Sequence, residues 1–318
     1  MRHNQVDKYA KYGYIFSIPF VVIFLLFSLY PLVYTTVIGF TDLQGMGKTD
    51  FNFLANPFEN FQTVLNAPTF RQSLVTTLLI WIINFIPQIA LALVLTAWLT
   101  NRRHKLKGQG LFKVLFYMPN IITAATVALL FNVLFMFPTG VVNYILQLLG
   151  AEAVNFVQNP LASQLIVAFV QFWMWYGYTM LILISGVLGM SPDMFEAADI
   201  DGASGFQTFF FITLPNLRTI LLFTLVTSMI GGLNMFDIPR MFNDGQPNGA
   251  TLTTSLFIYK QAFSGSYMYN RAAAASLIMF VIIAFLAVIL FYFMRDKDAV
   301  RMKKQEKLER QAARRSAK

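Results

Sequence analysis

The sequence predicts an all-α membrane protein with six transmembrane helices, on three observations. The 318-residue chain is 57% apolar and only 12% charged, about half the charge of an average soluble domain. Six nearly uncharged runs each reach the about 20 residues a helix needs to cross a bilayer. None alternates polar with apolar residues, and all exceed strand length, which excludes barrel strands.

In chain order the runs are Tyr14–Phe40, Ser73–Leu99, Val114–Phe137, Leu161–Met190, Thr219–Phe236 and Ala272–Met294. The first is long, holds Pro19 and Pro31 and lacks a small-residue cleavage site, so it reads as a retained span and not a signal peptide. The net charge of +9 is uneven: basic residues gather at Arg2, Lys8 and Lys11, then at Arg102, Arg103, Lys105, Lys107 and Lys113, then in the tail after Arg295. The outward connections (41–71, 138–160 and 239–271) hold only Lys48, Arg71, Arg240, Lys260 and Arg271. The positive-inside rule therefore places both termini, and the loop after the fourth span, in the cytoplasm. Residues 1–12 form a cytoplasmic N-terminus, 13–295 a transmembrane domain and 296–318 a basic cytoplasmic tail, free in solvent or touching anionic lipid. The basic excess is a topology signal, and no nucleic-acid partner is expected.

Residue types exclude several chemistries. There is no cysteine, hence no disulfide or thiol chemistry. The two histidines, His3 and His104, lie at the N-terminus and in a basic loop, so no histidine-rich metal site, histidine base or cofactor is expected. Gly47-Lys48-Thr49 echoes the end of a phosphate-binding loop, but Asp42 stands where its first glycine belongs and no strand precedes it. In the third outward connection, Asp244-Gly245 and Pro247-Asn248-Gly249 are turns, and Leu252–Phe263 is patterned as a short surface helix.

The most ordered polar segment is the cytoplasmic stretch 191–217. Ser191 is an N-cap, with Pro192 at the first helical position and Asp193 near the positive end of the helix dipole. The first short helix runs over Pro192–Ile200 and ends at Asp201-Gly202, because glycine accepts the left-handed conformation. Ser204 and Gln207 are spaced as a capping box for a second helix with Phe206, Phe209, Phe210 and Ile212 on its apolar face. Pro215 punctuates entry to the fifth span.

Within this stretch Glu196, Ala197, Ala198, Gly202, Ile212, Leu214 and Pro215 keep fixed spacing. The pattern resembles the EAA loop of permease subunits in bacterial ATP-binding-cassette importers, at every fixed position. The start, KYGYIFSIPFVVIFLLFSLYPLVYTTVIGFTD, resembles the first span of maltose-type sugar permeases, in the half called the F-like subunit. FDIPRMFNDGQPNGATLTTSLFIYKQAF resembles the segment after their fifth span, with Gly245-Gln246-Pro247 where many relatives have Gly-Gly-Pro. The resemblance covers most of residues 10–295. It implies a type I importer permease in the bacterial inner membrane. Its expected partners are a second homologous permease, two cytoplasmic ATPases docking on Glu196, Ala197, Ala198, Asp201, Gly202, Ile212, Leu214 and Pro215, and an extracellular solute-binding protein. The extra N-terminal spans and large external insertion of the enterobacterial maltose permease are missing here.

A solute path follows from helix geometry. Tyr178 and Trp175 lie roughly 20 and 24 Å up the fourth span from Ser191, and Ser228, Gly231 and Asn234 roughly 18, 22 and 27 Å up the fifth from Asn216. Gln171, Trp175, Tyr178, Ile182 and Ser185 share one helical face, and Trp173 adds a neighbouring aromatic ring. Aromatic faces stack on sugar C–H surfaces, while amides and hydroxyls pair with sugar hydroxyls. Gln171, Trp173, Trp175, Tyr178, Ser228, Gly231 and Asn234 are the candidate sugar contacts; Trp173 and Trp175 also fit an outer aromatic belt, and Gly231-Gly232 a helix contact. Gly231-Gly232 costs about 1 kcal/mol per glycine relative to alanine in a helix, which points to close backbone approach or local unwinding. Asp237 is the only acid near a helix interior.

The expected function is a non-enzymatic permease subunit for a di- or oligosaccharide, with ATP hydrolysed by partners. The same machinery could carry a polyol or glycerol phosphate. An ATP-independent secondary transporter would need a coupling acid that the spans lack apart from Asp237, and a scaffold without transport leaves the aromatic-polar face unexplained.

Overall fold

A computed structural model of the chain describes residues 3–101, 106–265 and 267–294. Arg102, Arg103, Lys105 and the basic tail from Arg295 lie outside the described residues. The order is α1 (His3–Phe24), a π-helical turn Leu25–Leu29, α2 (Tyr30–Ile38), α3 (Glu59–Asn66), α4 (Pro68–Leu99), α5 (Gln109–Ile121), α6 (Ala124–Leu134), α7 (Val141–Leu148) and α8 (Pro160–Leu188). Then come α9 (Pro192–Ile200), α10 (Gly205–Gln207), a second π-helical turn Thr208–Thr213, α11 (Leu214–Asn216), α12 (Arg218–Leu233), α13 (Asp237–Asn243), α14 (Thr254–Phe263) and α15 (Tyr269–Met294). Among the described residues there is no strand, only one isolated bridge between Thr41 and Phe53.

Among the described residues, five helical stretches are long and apolar enough to cross a membrane: Tyr12–Ile38, Pro68–Leu99, Pro160–Leu188, Arg218–Asn243 and Tyr269–Phe293. The expected third span differs. It is two helices, α5 and α6, bent by 85° at a short break. Pro119 removes one backbone donor near the end of α5, and Thr123 Oγ1 then accepts from Thr126 N at 3.4 Å, which caps a new helix inside an apolar run. Counted as one broken span, the pair makes the sixth.

One residue separates the end of each π turn from a proline. Tyr30 N bonds back to Leu25 O ahead of Pro31, and Leu214 N bonds back to Phe209 O ahead of Pro215. Proline lacks the N–H for an α-helical bond and crowds the carbonyl four residues earlier, and one wider turn relieves that crowding.

The chain divides into two compact units. The first comprises residues 1–71 and 257–280. Its small core joins Ile38, Leu43 and Ala273. Asn60 ties its chain turns together, with Nδ2 donating to Gly39 O at 3.0 Å and Thr41 O at 2.9 Å while Oδ1 accepts from Asn270 Nδ2 at 3.2 Å. Outside the spans, Asp42 Oδ1 accepts from Asn52 N at 2.7 Å, and that bond holds the Asp42 carboxyl below its ordinary pKa. Among the described residues, the second unit comprises 72–256 and 281–294. Its core is apolar side chains of α4, α6, α8, α12 and α13, and it contains both candidate sites.

Candidate functional site

The 191–217 stretch forms the expected helix-turn-helix. Ser191 Oγ accepts from Asp193 N at 3.3 Å, with Pro192 at N1 of α9. At the other end Gly202 has φ +72°, Gly202 N donates to Asp199 O at 3.2 Å and Ala203 N to Ala198 O at 3.0 Å. These two bonds make a Schellman motif, which satisfies the last helical carbonyls and requires a left-handed residue at its turn. The capping box closes as the spacing predicts: Gln207 N donates to Ser204 Oγ at 3.3 Å and Ser204 N to Gln207 Oε1 at 2.7 Å. Every backbone end of the hairpin is thus tied locally.

The faces differ in one respect from the sequence expectation. Glu196, Ala197, Asp201 and Gly202 are exposed, but Ala198 is buried beside Phe195. Only Ala197 therefore thins the outer face. Ile200, which sequence reasoning passed over, is 87% exposed on that face. The signal was there: a lone β-branched residue between Asp199 and Asp201. On the second limb Ile212 and Leu214 are half-buried, Thr213 is buried and Pro215 is exposed.

The second site is a cavity of about 230 Å³ between α4, α8 and α12. From α8 come Gln171, Trp175, Tyr178 and Thr179. From α12 come Thr224, Thr227, Ser228, Gly231 and Gly232, and from α4 comes Gln88. Trp175 and Tyr178 meet edge-to-face at 5.6 Å and 86°. Gln88 Nε2 donates to Thr179 Oγ1 at 2.8 Å. Thr224 Oγ1 is buried with no hydrogen-bond partner, an uncompensated polar group beside the cavity. No charged side chain lines it.

Five of the seven predicted sugar contacts converge here: Gln171, Trp175, Tyr178, Ser228 and Gly231. Two do not. Trp173 packs into the core, with its ring 6.0 Å from Phe131. Asn234 ends α12, and its Nδ2 donates to Ile230 O at 2.8 Å. Gln88 was missed because it comes from a different span; its signal was a buried amide next to Pro87 in an apolar run. The two adjacent glycines do separate jobs. α12 stays helical through Leu233, so there is no unwinding. A Cβ on Gly232 would lie 2.3 Å from Trp81 Cδ1, whereas one on Gly231 would meet no atom within 4 Å. Asp237 is exposed at the first turn of α13, where a carboxylate suits the helix dipole.

A family described as binding-protein-dependent transport system inner membrane component matches residues 63–299. The lactose transport system permease protein LacF of Rhizobium radiobacter is 30% identical over 300 residues, covering 93% of this chain and 98% of the relative. The trehalose/maltose transport system permease protein MalF of Thermococcus litoralis is 30% identical over 282 residues, covering 86% and 90%. Among solved structures, a chain of a bacterial ABC transporter involved in import of the acidic polysaccharide alginate superposes with a TM-score of 0.76 over 93% of this chain and 99% of that one. At 22% identity that likeness concerns the fold.

Proposed function

Because the chain belongs to the family of binding-protein-dependent transport system inner membrane components, we propose that it forms half of the membrane pathway of an ATP-binding-cassette importer for a neutral di- or oligosaccharide. Its partners in this reading are a second homologous permease, two cytoplasmic ATPases and an extracellular solute-binding protein, in the bacterial inner membrane with both termini cytoplasmic. One observation carries the proposal: the uncharged aromatic and amide cavity lies on α8 and α12, the two helices that the 191–217 hairpin joins. Trp175 and Tyr178 offer ring surfaces to sugar C–H groups; Gln88, Gln171, Thr227 and Ser228 offer neutral polar groups to hydroxyls. An uncharged lining leaves a carboxylate or phosphate without a counter-charge, which disfavours an anionic solute. At about 230 Å³ the cavity is smaller than the roughly 300–1,000 Å³ of complete ligand sites. It suits a single sugar ring, with the rest of the pathway supplied by the second permease. The lactose and trehalose/maltose relatives support the substrate class.

The hairpin supplies coupling. Asp193, Glu196, Ala197 and Ile200 follow one exposed helical stripe, with Asp201 and Gly202 at its tip. An apolar anchor ringed by acids fits a cleft with a basic rim on an ATPase. Closure of the ATPases on ATP moves the hairpin and tilts α8 and α12, opening the cavity outward to receive sugar; hydrolysis returns it inward. No covalent step falls to this chain.

The test is uptake of labelled lactose, maltose, trehalose and an alginate oligosaccharide by the complete importer in proteoliposomes. Neutral sugar uptake that falls at least tenfold in Gln171→Ala and Tyr178→Ala, with ATPase co-purification unchanged, supports the assignment. Unchanged uptake in both variants, or transport of the alginate oligosaccharide alone, refutes it.

A further inference from the structure

Helix α7, in the 138–160 connection, turns its apolar residues away from the protein. Val141, Tyr144, Ile145 and Leu148 recur at i, i+3, i+4 and i+7, and all four are exposed, Leu148 at 68%. This stripe is held outward by the opposite face. Asn143 is fully buried there; its Nδ2 donates to Met136 O and Val154 O, both at 3.1 Å, and its Oδ1 accepts from Val154 N at 2.8 Å. Three bonds from one side chain close the hairpin around α7 and fix its roll. The return limb turns Phe156 and Val157 toward the core and exposes Glu152, Asn155 and Gln158, with Val154 beside them. Glu152 is also the only charged residue between positions 114 and 192.

We propose that α7 is an in-plane anchor lying in the outer bilayer interface, with lipid acyl chains covering the stripe. The helices on either side of it in the chain also expose apolar residues, Leu130 and Val133 of α6 and Leu161 and Leu165 of α8, as membrane-facing spans do. Tyr144 combines an apolar ring with a hydroxyl, as residues of the interfacial belt do. A short amphipathic helix with one strongly apolar face and a polar, water-side return is the pattern of an interfacial segment. A water-soluble partner would meet Glu152 and the amides more readily than this uncharged stripe. The inference rests on the family's membrane location and on the orientation proposed above, and is independent of the sugar reading. Its consequence is mechanical: α7 fixes the outer end of α8 relative to the bilayer while the hairpin drives the inner end.

The chain has no native cysteine, so a single introduced thiol reports alone. Leu148→Cys and Glu152→Cys are nitroxide-labelled in the full-length chain within its native assembly, in phosphatidylcholine nanodiscs. Collision rates are measured with oxygen, which partitions into lipid, and with a neutral nickel chelate, which stays in water. The oxygen-to-nickel ratio at Leu148 is expected to exceed that at Glu152 by about fivefold or more, the contrast between the two sides of an interfacial helix. Nickel collisions dominating at Leu148 would mean a water-facing helix. Suppression of both rates would mean that a second subunit covers the stripe. Either result overturns the proposal. If Leu148→Cys does not assemble, Ile145→Cys on the same stripe gives the same readout.

Discussion

Gly231 and Gly232 are neighbours in one helix, and the structure assigns them opposite responses to the same substitution. Alanine recovers about 1 kcal/mol of helix propensity at either position. At Gly231 nothing lies within 4 Å of the new methyl, so the gain is unopposed and the methyl enters the cavity. At Gly232 the methyl would sit 2.3 Å from Trp81 Cδ1 and 3.1 Å from Cγ. Ordinary carbon contacts need about 3.5 Å, so the indole must retreat by about 1.2 Å, the difference between that contact and the 2.3 Å approach. Trp81 cannot retreat freely, being stacked on Phe85 at 5.6 Å with its Nε1 buried. Overpacking of this kind costs about 1–3 kcal/mol, which leaves Gly232→Ala destabilised by up to about 2 kcal/mol after the propensity gain. Thermal unfolding followed by tryptophan fluorescence, together with sugar uptake, separates the two. Gly231→Ala should keep or raise Tm while weakening uptake, and Gly232→Ala should lower Tm. Trp81→Phe should rescue Gly232→Ala by shrinking the ring it strikes. Equal loss of Tm in both single variants, or no rescue, would refute the packing argument.

Further outcomes follow from the hairpin and the outer loop. Ile200→Ser should lower the fraction of ATPase co-purified by about tenfold, the effect of removing one interface anchor worth about 1–2 kcal/mol, with the permease still folded. Gly202→Ala should impair transport-coupled ATP hydrolysis more than Gly202→Asn. Alanine pays about 1–2 kcal/mol in the left-handed conformation that asparagine tolerates, and no atom lies within 4 Å of the added Cβ; equal loss would assign Gly202 to the docking surface instead of the turn. Asp42 has a folded pKa depressed below the ordinary 3.8 by the Asn52 N–H. Its tie is therefore complete above about pH 3.8 and lost as pH falls through the folded pKa, below that value. A spin label at Gly47→Cys should show the same loop mobility at pH 7.5 and pH 5; loosening at pH 5 would contradict this.

What was legible in the sequence was local. Ser191, Gly202, Ser204 and Gln207 act within a turn of their own positions, so their spacing alone fixed both helices of the hairpin. The cavity was legible in depth but not in azimuth. Trp173 and Trp175 differ by two residues, about 200° around the helix, and only the packing of α6 shows that Trp173 faces the core while Trp175 faces the cavity. Gln88 was illegible because its place depends on how α4 meets α8, a long-range fact that α4's own sequence does not contain. The break at Ile122-Thr123 was hidden because hydropathy continues through it, although Pro119 and Thr123 carried the cap chemistry that makes it.

The same packing supplies the route by which the proposed push on the hairpin would reach the cavity. Phe195 of α9 and Leu217, between α11 and α12, share one buried cluster with Leu183, Ile184 and Val187 of α8 and with Leu95 and Leu99 of α4. The hairpin is therefore not a tether hanging from two spans but a wedge seated between the ends of α4, α8 and α12. Its turn is closed by the Schellman motif and the capping box, so bending between α9 and α10 would break those bonds. On the proposed coupling, a displacement of α9 is passed through that cluster to α8, which also lines the cavity. The compliant point is the π turn at Thr208–Thr213, where the hydrogen-bond ladder is already widened before Pro215. On the same proposal, a hinge there lets α9 and α8 shift against α12, which keeps its contact with Trp81 of α4, and that relative motion reshapes the cavity without unfolding its walls.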